Sequence, residues 1–178
     1  MRVLGVVLAG GQSRRFGSDK ALAEIGGRTL LDRAVTTLAR QCDAVVVAGR
    51  AAAPAPVIAD LPRAAMGPLG GLCGALQHGF ERGFDAVLSI PVDGFDLPAD
   101  LVGELSPAPA FVRAAPVIGL WPVWARGPLD AMLAEDTLHS LGAFAARIGA
   151  RAVELSRLPV NINTPADLSA AKDLAHGL

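Results

Sequence analysis

The chain has 178 residues, 52% hydrophobic and 19% charged, with sixteen basic against seventeen acidic side chains and a net charge of −1. That is enough apolar material for a sizeable core and too much for a disordered chain, and the near-neutral balance offers nothing to a global nucleic-acid or membrane-surface binder. No apolar run reaches membrane-spanning length, and two cysteines, Cys42 and Cys73, make neither a disulfide framework nor a zinc cluster. The expectation is one domain spanning 1–178, soluble and cytoplasmic.

In chain order, the apolar run at 3–8 leads into Gly10-Gly11-Gln12-Ser13 without an A-x-A cleavage pattern, so it is expected as a buried strand rather than a signal peptide. Further strands are expected at 44–48, 57–58, 86–90, 110–112, 117–120 and 152–155. Helices are expected at 29–41, 70–81, 99–105, 128–133, 141–148 and 165–174. In the first helix Leu30, Leu31, Ala34, Val35 and Leu38 fall on one face. In the last, Thr164 caps, Pro165 takes the first position and Asp167 the third. Near-continuous apolar strands alternating with helices predict an α/β, Rossmann-like fold: a mostly parallel twisted sheet with helices on both faces. Segment 106–128 carries Pro107, Pro109, Pro116, Pro122 and Pro128, which predicts an irregular lobe over the sheet.

The chemistry concentrates after the first strand, in Leu8-Ala9-Gly10-Gly11-Gln12-Ser13-Arg14-Arg15-Phe16-Gly17-Ser18-Asp19-Lys20. Glycines let a backbone turn sharply and bring its N–H groups close to an anion. Ser13 supplies a hydroxyl, and Arg15 and Lys20 supply charge against a polyphosphate, the first as a planar fork and the second as a point. The position, at the carboxyl end of a strand, is where open α/β sheets bind ligands. Neither common phosphate motif is present: G-x-G-x-x-G is absent, and Lys20 is flanked by Asp19 and Ala21 rather than by Gly and Ser or Thr. The composition adds weight. Of sixteen basic residues only Lys20 and Lys172 are lysines, and the only asparagines are Asn161 and Asn163.

The stretch L-A-G-G-x-S-x-R-x-G-x-D-K-A-L resembles the signature of the molybdenum cofactor guanylyltransferase family, in the wider group of nucleotidyltransferases of nucleotide-diphospho-sugar transferase type. Three more segments follow the same order. Met66-Gly67-Pro68-Leu69-Gly70-Gly71 is similar to the family's G-P-L-x-G, Ile90-Pro91-Val92-Asp93 to its P-x-D, and Asn161-Ile162-Asn163-Thr164-Pro165-Ala166-Asp167-Leu168 to its N-x-N-T-P-x-D-L. The resemblance implies a Mg²⁺-dependent nucleotidyltransferase that moves GMP from GTP to a molybdopterin-type acceptor and releases pyrophosphate. It implies that Leu8, Ala9, Gly10, Gly11 and Ser13 bind the nucleotide and that Arg15 and Lys20 act on its phosphates. Asp93 would hold the metal, and one carboxylate suffices for Mg²⁺ when phosphates and waters complete its shell. Asp60 falls where the family has an aspartate on the nucleotide, or is an ordinary loop residue. Asn161 and Asn163 would serve the acceptor side, or form an Asx turn before the last helix. Gly67 to Gly71 would pack near the ribose or open a helix. Nucleic acid and membrane are not implied as partners; transient contacts with proteins that deliver or receive the cofactor are.

The sequence also departs from the family. Where relatives carry a base-contacting asparagine after the second strand, it has Ala48 and Gly49. Gly94-Phe95 follows Asp93 in place of Thr-Pro, Ala115 replaces a histidine before Pro116, and an arginine near His139 is missing. These losses fall on the base and acceptor sides and leave two alternatives open: a transferase using CTP or another phosphate acceptor, or a nucleotide-binding relative without turnover. The rest is plainer. His78, His139 and His176 are scattered, Trp121 and Trp124 are expected in the core, and Cys73 lacks a cation to activate it.

Overall fold

The computed structural model describes residues 1–11, 19–135, 139–157 and 159–176. Its centre is strand β1 (Val3–Leu8), buried at every position. Strands β4 (Ala44–Ala48) and β6 (Ala86–Pro91) flank it, both parallel. A strand with two parallel neighbours and both faces covered has no position for a polar side chain, which is why its sequence is an unbroken apolar run. Its side chains divide by parity. Val3 and Val7 join Leu31, Ala34 and Leu38 of helix α1 (Leu30–Ala39). Leu4, Val6 and Leu8 join Leu69, Leu72 and Leu76 of helix α2 (Gly67–Glu81) on the opposite face.

The seven-stranded sheet runs β10-β8-β9-β6-β1-β4-β5, with β5 (Val57–Ile58) at one edge and β10 (Arg151–Val153) at the other. Strands β9 (Ala115–Pro122) and β8 (Ala110–Val112) enter antiparallel to β6 and to β9 respectively; the remaining pairs are parallel. The chain leaves β1 through α1 to one side and returns through α2 to the other. The order therefore reverses beside β1, and the crevice at the carboxyl ends of β1 and β6 is the topological switch point where such sheets take ligands.

Segment 106–128 supplies the two strands expected within it to the main sheet, and its prolines sit around and within those strands rather than in a lobe over the sheet. Pro107 and Pro109 precede β8, and Pro122 ends β9. Pro116 falls where the β8–β9 register shifts, between Phe111 and Val112, and a bulge is one of the few places a sheet accepts proline. The apolar residues decide the outcome: Ile118, Leu120 and Trp121 are wholly buried. Trp121 packs on Phe144 with ring centroids 5.4 Å apart and donates its indole N–H to Ser89 Oγ at 2.9 Å. Ser89 in turn donates to the Val117 carbonyl at 2.7 Å, so this buried hydroxyl is satisfied on both sides. Trp124, expected in the core with it, is 56% exposed on a short 3-10 turn whose core contact is Ala125 instead.

Helix α1 begins one residue later than expected because Thr29 is its cap, accepting the Asp32 N–H at 3.0 Å. Helix α2 begins three residues earlier than expected. Its glycines are packing positions rather than breaks: a Cβ on Gly74 would lie 2.1 Å from the Ala59 carbonyl oxygen, so the helix presses directly on the chain leaving β5. Helices α3 (Leu101–Leu105), α4 (Arg126–Leu133), α5 (Leu141–Arg147) and α6 (Pro165–His176) match expectation to within two residues at each end. Two small pairings were not anticipated. Strands β2 (Glu24–Ile25) and β3 (Arg28–Thr29) form a hairpin across Gly26 and Gly27, both at positive φ. Strands β7 (Gly94–Phe95) and β11 (Val160–Asn161) pair antiparallel and fold the C-terminal segment back onto the end of β6. Ile25, Leu30, Ile162 and Ala171 close a small satellite core beneath it.

Candidate functional site

The ends of three strands meet at the switch point, and their hydrogen bonding continues past them. Ala9 N–H donates to the Ala48 carbonyl at 3.0 Å, and Val92 N–H to the Leu8 carbonyl at 3.2 Å. A cleft of about 230 Å³ opens there. Leu8 to Gly11 form its floor on one side, Pro91 to Asp93 on another, and Asp60, Gly67 and Gly71 a third wall.

Lys20 is delivered to the mouth by a 3-10 turn, Lys20–Leu22, whose cap is Asp19. Its Nζ lies 2.7 Å from Asp93 Oδ2, and both side chains are mostly buried, 16% and 20% exposed. The same ammonium donates to Asn163 Oδ1 at 3.3 Å. Three residues separated by up to 143 positions thus converge on one point. The C-terminal partner is positioned by β7 and β11, by Ile162 N–H donating to the Asp93 carbonyl at 3.1 Å, and by a capping box at the start of α6. In that box Asp167 Oδ2 accepts from Asn163 N–H at 2.9 Å and Thr164 N–H at 2.8 Å, and Asp167 N–H donates to Thr164 Oγ1 at 3.2 Å. The Asn163 N–H, then the Thr164 hydroxyl and N–H, hold the Asp167 carboxyl below its ordinary value. Asn161 lies exposed on β11 in register with Gly94 and does not line the cleft.

Asp60 does face the cleft. Burial lifts its carboxyl above the ordinary value, while N–H groups of Met66 and Ala65 act against that shift. Segment 67–71 opens α2, one of the two readings given for it, and Gly67 and Gly71 line the cleft. Ser13 and Arg15 lie outside the described residues. At Gly49 the backbone takes φ +82°, and a Cβ would stand 2.3 Å from Gly10 Cα. A side chain at 49 would therefore force apart the two loops that meet there, which accounts for glycine at this position.

The sequence reading assigned no role to the residues holding the far end of the glycine-rich loop. Arg50 clasps Asp19 through both nitrogens, NH1 to Oδ1 at 3.0 Å and NH2 to Oδ2 at 2.7 Å. The guanidinium holds the Asp19 carboxyl below its ordinary value, and the carboxylate raises Arg50 in return. The only signal in sequence was adjacency, Asp19 beside Lys20 and Arg50 beside Gly49. Other reactive groups stay apart from the site. Cys73 donates to Asp130 Oδ1 at 3.1 Å, and burial pushes its thiol up to about 12. Among the described residues no three His, Cys, Asp or Glu side chains gather as a metal cluster. The carboxylates that line the cleft, Asp19, Asp60 and Asp93, do not cluster, which fits a hard cation that arrives with phosphate oxygens and waters, not one caged by protein. Chemically, a concave backbone loop with an ammonium and a carboxylate at its rim suits a metal-bound polyanion.

Residues 5–158 match the model of the MobA-like NTP transferase domain. The chain is 40% identical over 182 residues to a molybdenum cofactor guanylyltransferase of Acidiphilium cryptum, covering 94% of this chain and 92% of the relative. It is 36% identical to one from Rhizobium leguminosarum bv. trifolii, covering 96% and 91%. Among solved structures it superposes on molybdopterin-guanine dinucleotide biosynthesis protein A from Archaeoglobus fulgidus with TM-score 0.75 at 18% identity, all of both chains covered. It also superposes on 2-C-methyl-D-erythritol 4-phosphate cytidylyltransferase from Thermus thermophilus with TM-score 0.64 at 17% identity, covering 99% of this chain and 100% of the other. The last two establish the nucleotidyltransferase fold, and the sequence relatives place the chain within it: this nucleotidyltransferase belongs to the molybdenum cofactor guanylyltransferase family.

Proposed function

We propose that the cleft binds GTP with Mg²⁺ and that the protein transfers GMP to the terminal phosphate of a molybdopterin-type acceptor. An acceptor phosphate oxygen attacks the α-phosphorus, the bond from that phosphorus to the β-phosphate bridging oxygen breaks, and pyrophosphate leaves. The observation that carries this reading is the convergence of Lys20, Asp93 and Asn163 beside Gly10 and Gly11, with Lys20 and Asp93 2.7 Å apart.

The acceptor phosphate is already anionic, so catalysis rests on positioning and charge stabilisation rather than on a general base. Leu8, Ala9, Gly10 and Gly11 cradle the nucleotide, with Ser13 as a hydroxyl donor from the same loop. Arg15 and Lys20 offset charge on the departing pyrophosphate. Asp93 is the residue that would hold Mg²⁺, and the cation when bound neutralises triphosphate charge. Before nucleotide arrives, Lys20 neutralises Asp93; on binding, its ammonium turns to the phosphates. Asp60 contacts the nucleotide from the α2 side, and Asn163, which reaches Lys20, serves the acceptor; Asn161, exposed outside the cleft, does not. Residues 1–178 act as a single domain in the cytoplasm, with transient contacts to proteins that deliver or receive the cofactor. Among the described residues no helix is long and apolar enough to cross a membrane.

The test is purified protein with Mg²⁺, GTP and molybdopterin, assayed for the dinucleotide and for pyrophosphate; both should appear together and stop when the metal is chelated. Gly49 favours a second reading, because the asparagine expected near it is missing and the space is closed by Gly10. Competition among the four nucleoside triphosphates decides between them: preference for CTP or UTP displaces guanine. Tight binding of Mg·GTP without product from any pterin acceptor marks a nucleotide-binding relative.

A further inference from the structure

We infer that Arg50 is a positioning residue for nucleotide binding, acting through Asp19 to hold Lys20 in register with the cleft. The inference rests on the nucleotide reading given above.

Gly10, just past the end of β1, and Asp19, the cap of the turn that carries Lys20, are each held by one of two consecutive residues of the β4–β5 connection. Gly49, at φ +82°, lies so close to Gly10 that nothing larger fits. Arg50 grips Asp19 with both arms of its guanidinium, at 3.0 and 2.7 Å, across 31 residues of sequence. Asp19 is also the cap of the turn that carries Lys20, its Oδ1 accepting the Ala21 N–H at 3.2 Å. The clasp therefore fixes the backbone from which the Lys20 stem departs. A lysine has a flexible four-carbon stem, and its ammonium holds a defined place only when the backbone beneath it is fixed.

Two features set this pair apart from an ordinary surface ion pair. Its geometry is bidentate, which constrains orientation as well as distance. The Arg50 side chain is only 19% exposed, and its Nε is buried without a hydrogen-bond partner. Stability alone does not favour burying a guanidinium with an orphaned N–H, so the arrangement is one the fold keeps at some cost. Lysine at 50 would keep the charge and lose the fork.

The experiment measures the dissociation constant of Mg·GTP, or of whichever triphosphate wins the competition above, together with the thermal midpoint. Arg50→Gln and Asp19→Asn should each weaken binding about tenfold, with the double variant no weaker than either single, because both break one device. Arg50→Lys should fall between Arg50→Gln and the unsubstituted protein. Thermal midpoints should stay within a few degrees. In a Lys20→Ala background, Arg50→Gln should change binding less than twofold, which a merely structural role would not predict. The inference is overturned if Arg50→Gln binds within twofold of normal, if the two single effects multiply, or if the Arg50→Gln loss persists in full without Lys20. Should Arg50→Gln fail to fold, Asp19→Asn, on the more exposed side of the pair, carries the same test. If the unsubstituted protein binds none of the four triphosphates, the nucleotide reading falls and this inference with it; normal binding with an indifferent Arg50 removes this inference alone.

Discussion

Replacing Lys20 by alanine separates the chemical role of this residue from its structural one. Its ammonium sits 2.7 Å from Asp93, and both side chains, though mostly buried, line the open cleft. Loss of the pair therefore costs only about 1 kcal/mol of stability, because water entering the cleft re-solvates the partner left behind. For a chain of this size that lowers the thermal midpoint by no more than roughly 2–4 °C. The effect on turnover is of another order. Loss of one preorganised donor from the charge that develops on a leaving group costs about 2.7–4 kcal/mol, or roughly 100- to 1,000-fold in rate. The assay is pyrophosphate release under saturating Mg·GTP and acceptor, with a thermal melt on the same preparation. A folded Lys20→Ala protein that keeps more than about a third of normal turnover refutes the role, and so does a variant whose activity is lost only because it has unfolded.

Asp93→Ala should abolish pyrophosphate release with the fold retained, and chelation of Mg²⁺ should do the same to the unsubstituted enzyme; turnover surviving either removes the metal role from Asp93. The Asp60 carboxyl is raised by burial, so the folded state holds its proton more tightly than the unfolded state, and ionisation costs stability above that window. Asp60→Asn should therefore melt at or above the normal midpoint at pH 7, lose that advantage as pH falls below the ordinary carboxylate value, and bind nucleotide more weakly; melts across pH 3 to 7 check the sign. Leu38→Ala removes a wholly buried side chain between α1 and β1 and should cost about 2–5 kcal/mol in denaturant unfolding. Gly49→Asn should not tighten nucleotide binding: its Cβ meets Gly10 at 2.3 Å, so Mg·GTP titration should show weaker binding.

Much of this fold was legible because its signals are local. The strands at 3–8 and 44–48 were readable as unbroken apolar runs, since a parallel strand buried on both faces has no room for alternation. The cap at Thr164 was readable from residue type and spacing alone, whereas Thr29 was expected inside its helix and proved to be the cap. Where local signals conflict, burial decides. The prolines of 106–128 argue for irregularity, but Ile118, Leu120 and Trp121 have nowhere to go except the sheet, and a bulge absorbs Pro116. The helix over the glycines of α2 was expected, but not why glycine is needed there: a Cβ on Gly74 would meet the Ala59 carbonyl at 2.1 Å. The same holds for Trp121 and Trp124: identical residue types three positions apart, one at the centre of the core and one in solvent.

For the site, the order of motifs along the chain was sufficient to nominate the glycine-rich loop, Asp93 and the C-terminal asparagines, because each follows a strand or precedes a helix in a recognisable way. Distance is a different kind of information. That Asn163 rather than Asn161 reaches Lys20, that Asp60 faces the cleft, and that Arg50 grips Asp19 all depend on how β4 and β6 pair beside β1 and how β11 folds back onto β7. Hydrogen bonds and ion pairs act over a few ångströms, and no local pattern encodes which remote segments come that close; only the packed core, by fixing the strand order, does.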